Sequence, residues 1–547
     1  MASIEVVLAM LLAVLASGYL VRALPVALPL PLVQIVLGGV IAGVFHHGVT
    51  LQPEVFFLLF LPPLLFLDGW RIPKDGLLQD KGPILELAIG LVVFTVFGAG
   101  YLIHWMIPAM PLAVAFALAA IVSPTDPVAV SAITARVPIP PRLMHVLEGE
   151  SLLNDASGLV AFQFAVAAAV TGAFSLGVAA RQFLWVALVG VACGLVFTAA
   201  VAFVQHLLSR HFGEDEGAPI LVSLLIPFGA YMLAEQLRAS GILAAVFAGI
   251  AMSYVELSGR SIATTRLERT AVWNTIQFTL NGIMFVLLGE QLPAILHGAI
   301  AAVGESGHHN PLWLVFYALA ITVILGVLRF GWAWVSVHLH LLRSRHSDAP
   351  QTRPDTRLIL ATSLAGVRGA VTLAGVLTLP LLLPDGTSFP ARGIAVFLAA
   401  VVILFSLIAA SVGLPILLKD LKLPEESTRA QERRHARAAA ARAAIDAVRS
   451  TEHSIQEQTH AREADIVADA ASRVIAYYQQ RAERDDDNAT TQATELRKSD
   501  EVERQMRLAA LQAERVEVLR LARHHFVSDS TSRRLVRELD LLESLYR

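Results

Sequence analysis

Runs of apolar residues long enough to cross a bilayer recur along the chain up to about Leu418. They fall near 4–21, 26–45, 55–70, 83–107, 111–133, 144–170, 182–206, 218–236, 240–256, 274–296, 312–340, 357–380 and 391–418. The pattern predicts an all-α polytopic membrane protein with about thirteen transmembrane helices. The third run is short and interrupted at Pro62-Pro63. After Leu423-Pro424 the pattern changes: residues 425–547 are rich in Arg, Glu, Ala and Gln and hold no run of spanning length. Ala-Arg repeats around Ala436–Ala444 and the stretch Glu501–Arg523 predict helices, with Asp485-Asp486-Asp487-Asn488 breaking the pattern between them. Leu535 to Leu542 is amphipathic. The expected organisation is a transmembrane domain over 1–423 and a cytosolic, helical, regulatory tail over 424–547. A solvated, partly disordered extension is the alternative for the tail.

The loops orient this layout. With the N-terminus outside, the inside loops hold Arg22, Arg71, Lys74, Lys81, Arg136, Arg142, Arg210, Arg260, Arg266, Arg269, Arg343, Arg345, Arg353 and Arg357. The outside loops hold only Arg181, Arg238 and Arg392. Basic residues collect on the cytoplasmic side, so the N-terminus is expected outside and the C-terminus in the cytoplasm of a cell carrying the chain in its inner membrane. The first run, Ile4 to Val21, has no basic residue before it and reads as a retained helix. Of 547 residues, 55% are hydrophobic and 16% charged, as in a polytopic membrane protein. A formal net charge of −3 suggests no nucleic-acid partner. Cys193 is the single cysteine, which excludes an intramolecular disulfide and a cysteine-based metal cluster.

Two polar motifs interrupt this apolar background. The first is Ser123-Pro124-Thr125-Asp126-Pro127, and the second is Glu148-Gly149-Glu150-Ser151-Leu152-Leu153-Asn154-Asp155. Carboxylates at membrane depth are costly and are usually paired, solvated or used. Pro124 and Pro127 remove backbone donors and leave carbonyls without helical partners. Such a break is tolerated where it is buried in protein or lines a cavity. Free carbonyls beside a carboxylate suit a small hard cation. The plainer alternative is a proline kink with Asp126 satisfied by a nearby hydroxyl. Ser151 and Asp155, four apart, share one helix face, and Glu150 and Asn154 share another. The first face is expected at the site and the second at a structural partner, with Glu148 lining a funnel.

Two arginines lie inside apolar segments, Arg329 and Arg368. A buried charge without a partner costs several kcal/mol, so each is expected to face an anion. Glu150 is the candidate for Arg329, and the glycines flanking Arg368 predict an irregular twelfth helix. Asp68, in Phe66-Leu67-Asp68-Gly69-Trp70, is either a member of the site or an interfacial cap. His46, His47, His308 and His309 fall in predicted outer loops and receive no role.

Thr125-Asp126-Pro127-Val128-Ala129-Val130, Gly149-Glu150-Ser151-Leu152-Leu153-Asn154-Asp155, Arg329 and Gly366-Val367-Arg368-Gly369-Ala370 together resemble the cation:proton antiporter-1 family, the NhaP and NHE type of sodium/proton exchanger. The resemblance covers roughly residues 1–420, with Val367 standing where many relatives have leucine. It implies that Asp155 is the carboxylate shared by sodium ion and proton. Asp126 would complete the site from an unwound helix, with Thr125 supplying oxygen and Ser151 a ligand. Asn154 matches the asparagine of electroneutral members, Glu150 and Arg329 match a structural ion pair, and Asp68 matches an acid near the inner site of some members. The implied fold has two inverted repeats, as in NhaA, with helices five and twelve unwound and crossing near the midplane, in a homodimer.

Exchange on this plan is competition for one carboxylate, which either a proton or a cation can neutralise. It needs no cofactor; the transported sodium ion and proton are the small partners. The expected role is pH and sodium homeostasis by sodium/proton antiport, electroneutral at one for one. A potassium/proton antiporter is an alternative, since potassium and lithium also take oxygen ligands. A cation channel or sensor with the tail as receiver is a second rival. An intramembrane enzyme is disfavoured, because His104 stands alone on an apolar helix and no H-E-x-x-H occurs.

Overall fold

A computed structural model of the chain describes residues 2–23, 28–45, 53–72, 82, 86–126, 130–131, 133, 141–172, 176–212, 217–257, 263–302, 310, 312–344, 356–419, 427–458, 464–483, 491–523 and 529–546. Cα packing separates two compact units, Met1–Leu421 and Lys422–Arg547.

The first unit is helical. In chain order it holds α1 (Ala2–Ala23), α2 (Leu30–Phe45), α3 (Pro53–Arg71), a π-helical turn (Glu86–Leu91) leading into α4 (Val92–Met106), α5 (Leu112–Val122) and α6 (Pro141–Thr171). There follow α7 (Leu176–Phe212), α8 (Ala218–Gln236), α9 (Gly241–Leu257), α10 (Ala263–Ala302), α11 (Leu312–Ser344), α12 (Thr356–Leu364), α13 (Ala370–Leu377) and α14 (Arg392–Leu418). Among the described residues, 8 helices are long and apolar enough to cross a membrane. Three shorter apolar helices are α2, α5 and most of α9. The chain is therefore an all-helical, multi-span membrane protein.

Some expected boundaries move. α3 runs unbroken through Pro62 and Pro63. Its Phe60–Leu67 stretch is buried, and neighbouring helices supply the support that lets a transmembrane helix carry proline. α10 begins well before residue 274, so Arg266 and Arg269 lie on a helix and not in a loop. Arg269 is buried and bonds Glu256 at 2.5 Å, while its guanidinium lies 5.2 Å from the Trp70 ring. The Trp70 indole also donates to Glu256, at 2.8 Å. Lys74, Lys81, Arg136, Arg260, Arg345, Arg353, the four outer-loop histidines and the Asp485–Asn488 break lie outside the described residues.

Three apolar clusters hold the unit together. One is built mainly from α4, α5, α6, α11, α12, α13 and α14. The other two join α1, α2, α3, α9 and α10, and α3, α7, α8, α9 and α10. Within this second group, backbones touch. A β-carbon on Gly249 would stand 2.0 Å from the Phe66 carbonyl, and one on Gly69 would stand 2.2 Å from that of Val246, so α3 and α9 approach through a reciprocal glycine pair. Small residues at such crossings let membrane helices gain dispersion contact without a hydrophobic drive. We call the second group the scaffold side and the first the core side.

The second unit comprises α15 (Ser427–Gln458) packed on α16 (Ala464–Glu483), and α17 (Thr491–Arg523) packed on α18 (Asp529–Tyr546). Arg515 of α17 pairs with Asp540 at 2.7 Å and with Glu543 of α18. Hydrogen bonding to Glu543 raises the Arg515 pKa, so its charge is held more firmly. Leu511 and Leu539 are buried in the same hairpin.

Candidate ion site

α5 is apolar from end to end and stops at Val122, because Pro124 has no N–H to continue the helical ladder. Ser123 to Asp126 are non-helical, and residues 130, 131 and 133 are helical again. Pro127 lies outside the described residues. A second interruption faces the first. α12 ends at Leu364, Gly366 to Gly369 are non-helical, and α13 starts at Ala370. The two breaks are joined through the backbone, where the Asp126 N–H donates to the Val367 carbonyl at 2.8 Å.

Arg368 ties the same breaks together. Its Nε donates to the Val122 carbonyl at 2.7 Å, its Nη1 donates to the Gly366 carbonyl, and its backbone N–H donates to Ser406 Oγ at 3.1 Å. Among the described residues its hydrogen bonds do not reach the expected carboxylate; carbonyls freed where α5 and α12 end take that place. These ends carry the partial negative charge of unsatisfied C=O groups, which suits a guanidinium.

Arg329 does face a carboxylate. Its Nη1 and Nη2 bond Glu150 Oε1 and Oε2 at 2.5 and 2.7 Å, and its Nε donates to the Thr362 carbonyl at 3.0 Å. Both side chains are at most 3% exposed. Thr125 closes the network: its hydroxyl is 3.4 Å from Glu150 Oε1 and accepts from Asn154 Nδ2 at 3.0 Å. The second face of α6, Glu150 and Asn154, is thus spent on Arg329 and Thr125. Asn154 does not reach the cavity, and its buried Oδ1 has no partner among the described residues.

The first face of α6 opens on a cavity of about 40 Å³, enough for a few water molecules. Asp155 and Ser151 line it from α6, Pro124, Thr125 and Asp126 from the α5 break, and Gly369 and Thr372 from the α13 side. Asp68 lines it from α3, with Leu61, Leu64 and Leu65. Ser151 Oγ donates to the Thr125 carbonyl at 2.9 Å, so its lone pairs remain available. Three carboxylates, a hydroxyl and interrupted backbone therefore converge on one small space at the seam between core and scaffold. All donors are hard oxygens. Among the described residues no cluster of His, Cys, Asp and Glu forms a metal-holding group, and His104 bonds the Met110 carbonyl at 2.8 Å.

Gln277 and Asn281 of α10 also line the cavity, and sequence reasoning missed them. The signal was present as amides at helical spacing, Asn274, Gln277 and Asn281, in an apolar stretch.

Comparisons with known proteins fit this geometry. The family model described as the transmembrane sodium/hydrogen exchanger matches residues 8–420. The chain is 42% identical to the Na(+)/H(+) exchanger YjcE of Escherichia coli over 544 residues, 98% of each protein. It is 44% identical to a sodium, potassium, lithium and rubidium/H(+) antiporter of Bacillus subtilis over 425 residues, 76% of this chain and 61% of that one. Among solved structures, the sodium proton antiporter MjNhaP1 of Methanocaldococcus jannaschii superposes with a TM-score of 0.54 at 18% identity, over 77% of this chain and 99% of that one. That likeness concerns the fold.

Proposed function

The chain belongs to the sodium/hydrogen exchanger family and is a sodium/proton antiporter; on that premise we propose that Asp155 and Asp126 form the carboxylate site for which sodium ion and proton compete. The observation that carries this reading is the cavity in which Asp126, Asp155, Ser151 and Asp68 meet. A carboxylate in so confined a space is stabilised by a proton or by a cation, and each displaces the other. Ser151 and the Thr125 region supply neutral oxygen. Thr125 acts through its position, since its hydroxyl is engaged by Asn154 and lies near Glu150.

Electroneutral one-for-one exchange follows if only a neutralised site can change its facing. Glu150 contributes no mobile charge, because Arg329 holds it, and residue 154 is an amide. Potassium and lithium are alternative substrates, in line with the Bacillus subtilis relative named for them. The inverted-repeat architecture is supported by the two facing breaks joined at Asp126 and Val367. Movement of the core side against the scaffold side is supported by their separate apolar clusters, with the cavity between them. The remaining parts of the proposal are a homodimer in the inner membrane, an outside N-terminus, a cytoplasmic C-terminus, a transport domain to residue 423 and a regulatory tail beyond it. The distribution of loop arginines supports the orientation.

Proton flux in proteoliposomes, with sodium, potassium and lithium offered in turn, tests the site. Asp155→Asn abolishes exchange while the protein still inserts and migrates as the parent does, and Asp126→Asn acts in the same direction. Normal sodium-driven proton flux in Asp155→Asn overturns the assignment.

A further inference from the structure

The scaffold wall of the cavity carries its own oxygen donors. Asn274, Gln277 and Asn281 succeed one another by three and four residues and so share one face of α10. Amides inside an apolar membrane helix are costly unless they find partners. Asn274 and Gln277 have one. Arg71, in the last turn of α3, donates to Gln277 Oε1 at 2.6 Å and to Asn274 Oδ1. This ties the end of α3 to α10 and orients Gln277 beside the cavity. Asn281, one turn further along, is half-buried on the cavity wall and makes no hydrogen bond to a described residue. The next turn brings Met284, which is buried and ends the polar face.

We propose that Asn281, beside the oriented Gln277, is a cation ligand from the scaffold side and sets the order of preference among alkali cations. The inference rests on the reading of Asp126 and Asp155 as the cation site. Carboxylates supply the same charge to every alkali ion, whereas the number and field strength of neutral oxygens distinguish ions of different size. An amide on α10 suits that task, because backbone contact with α2 fixes its helix, a β-carbon on Gly38 standing 1.9 Å from the Val286 carbonyl and one on Gly289 1.9 Å from that of Ile35, while Asp126 and Asp155 belong to the core. A cation held by both sides also loses the Asn281 oxygen when the sides part, which favours its release.

The test uses the full-length protein in proteoliposomes and reads half-saturating sodium, lithium and potassium concentrations from proton flux. Asn281→Leu, branched at the same carbon but without the amide oxygen, changes the sodium-to-lithium or sodium-to-potassium ratio by about ten-fold, the scale of one lost polar contact. Asn281→Ser, which keeps an oxygen, lies nearer the parent than Asn281→Ala does. Unchanged ratios in Asn281→Leu overturn the proposal. If Asn281→Leu fails to insert, identical ratios in Asn281→Ser, Asn281→Ala and the parent do the same. Asp155→Asn run in parallel separates the two levels. Its normal exchange refutes the site itself, whereas its inactivity with unmoved ratios at residue 281 refutes only the α10 ligand.

Discussion

Gly369 lies against Asp126 so closely that a β-carbon at residue 369 would stand 2.5 Å from Asp126 Oδ2 and 2.7 Å from its Cβ. The aspartate comes from the first helix break and the glycine from the second, so the bare backbone of one break is the seat of the other's carboxylate. Gly369→Ala must displace Asp126, because the clash reaches the root of the side chain as well as its tip. Sodium-driven proton flux is expected to fall by about ten-fold or more, while insertion and thermal stability change little. The comparison that checks it is flux against melting temperature in detergent. Parent-like flux from a folded Gly369→Ala protein would show that the Asp126 position is not critical.

Glu150 and Arg329 form a bidentate pair with almost no exposure. Removing either partner leaves a buried charge alone, at a cost of about 3–5 kcal/mol. Glu150→Ala and Arg329→Ala are therefore expected to lower the melting temperature strongly, and the double variant to lose less than the sum of the two. Thermal melts of the four proteins complete the cycle. Strict additivity would mean that the pair contributes no coupling. In variants that still insert, the order of cation preference stays that of the parent, because neither side chain lines the cavity.

Truncation after about residue 425 is expected to leave sodium/proton exchange measurable, with its pH dependence or maximal rate altered. Every ion ligand assigned here lies upstream, and the tail forms its own compact unit with its own ion pairs. Flux from the truncated protein, measured across pH, decides the matter. Complete loss from a correctly inserted truncation would place an essential gate in the tail and favour the channel or sensor reading.

By itself the sequence determined what depends on local chemistry. Apolar runs marked the spans, and Pro124 and the glycines around Arg368 marked where two helices stop. The spacing in Glu150-Ser151-Leu152-Leu153-Asn154-Asp155 separated two faces of one helix. The cost of a buried charge pointed from Arg329 to Glu150, although 179 residues separate them. Only the tertiary structure decided which groups satisfy one another across such distances. Arg368 finds the Val122 carbonyl 246 residues away, because two helix ends happen to meet there. Depth alone called for a carboxylate and could not foresee that pooled carbonyl dipoles would serve. Arg269 reads as a loop residue from its neighbours in the chain, yet it is buried between Glu256 and Trp70. The face of Glu150 and Asn154 reads as one that meets a structural partner, but only the fold supplies Thr125 as the partner of Asn154 and brings the amides of α10 to the cavity. Periodicity and proline act within a turn or two of helix, whereas partnership depends on how separate helices pack.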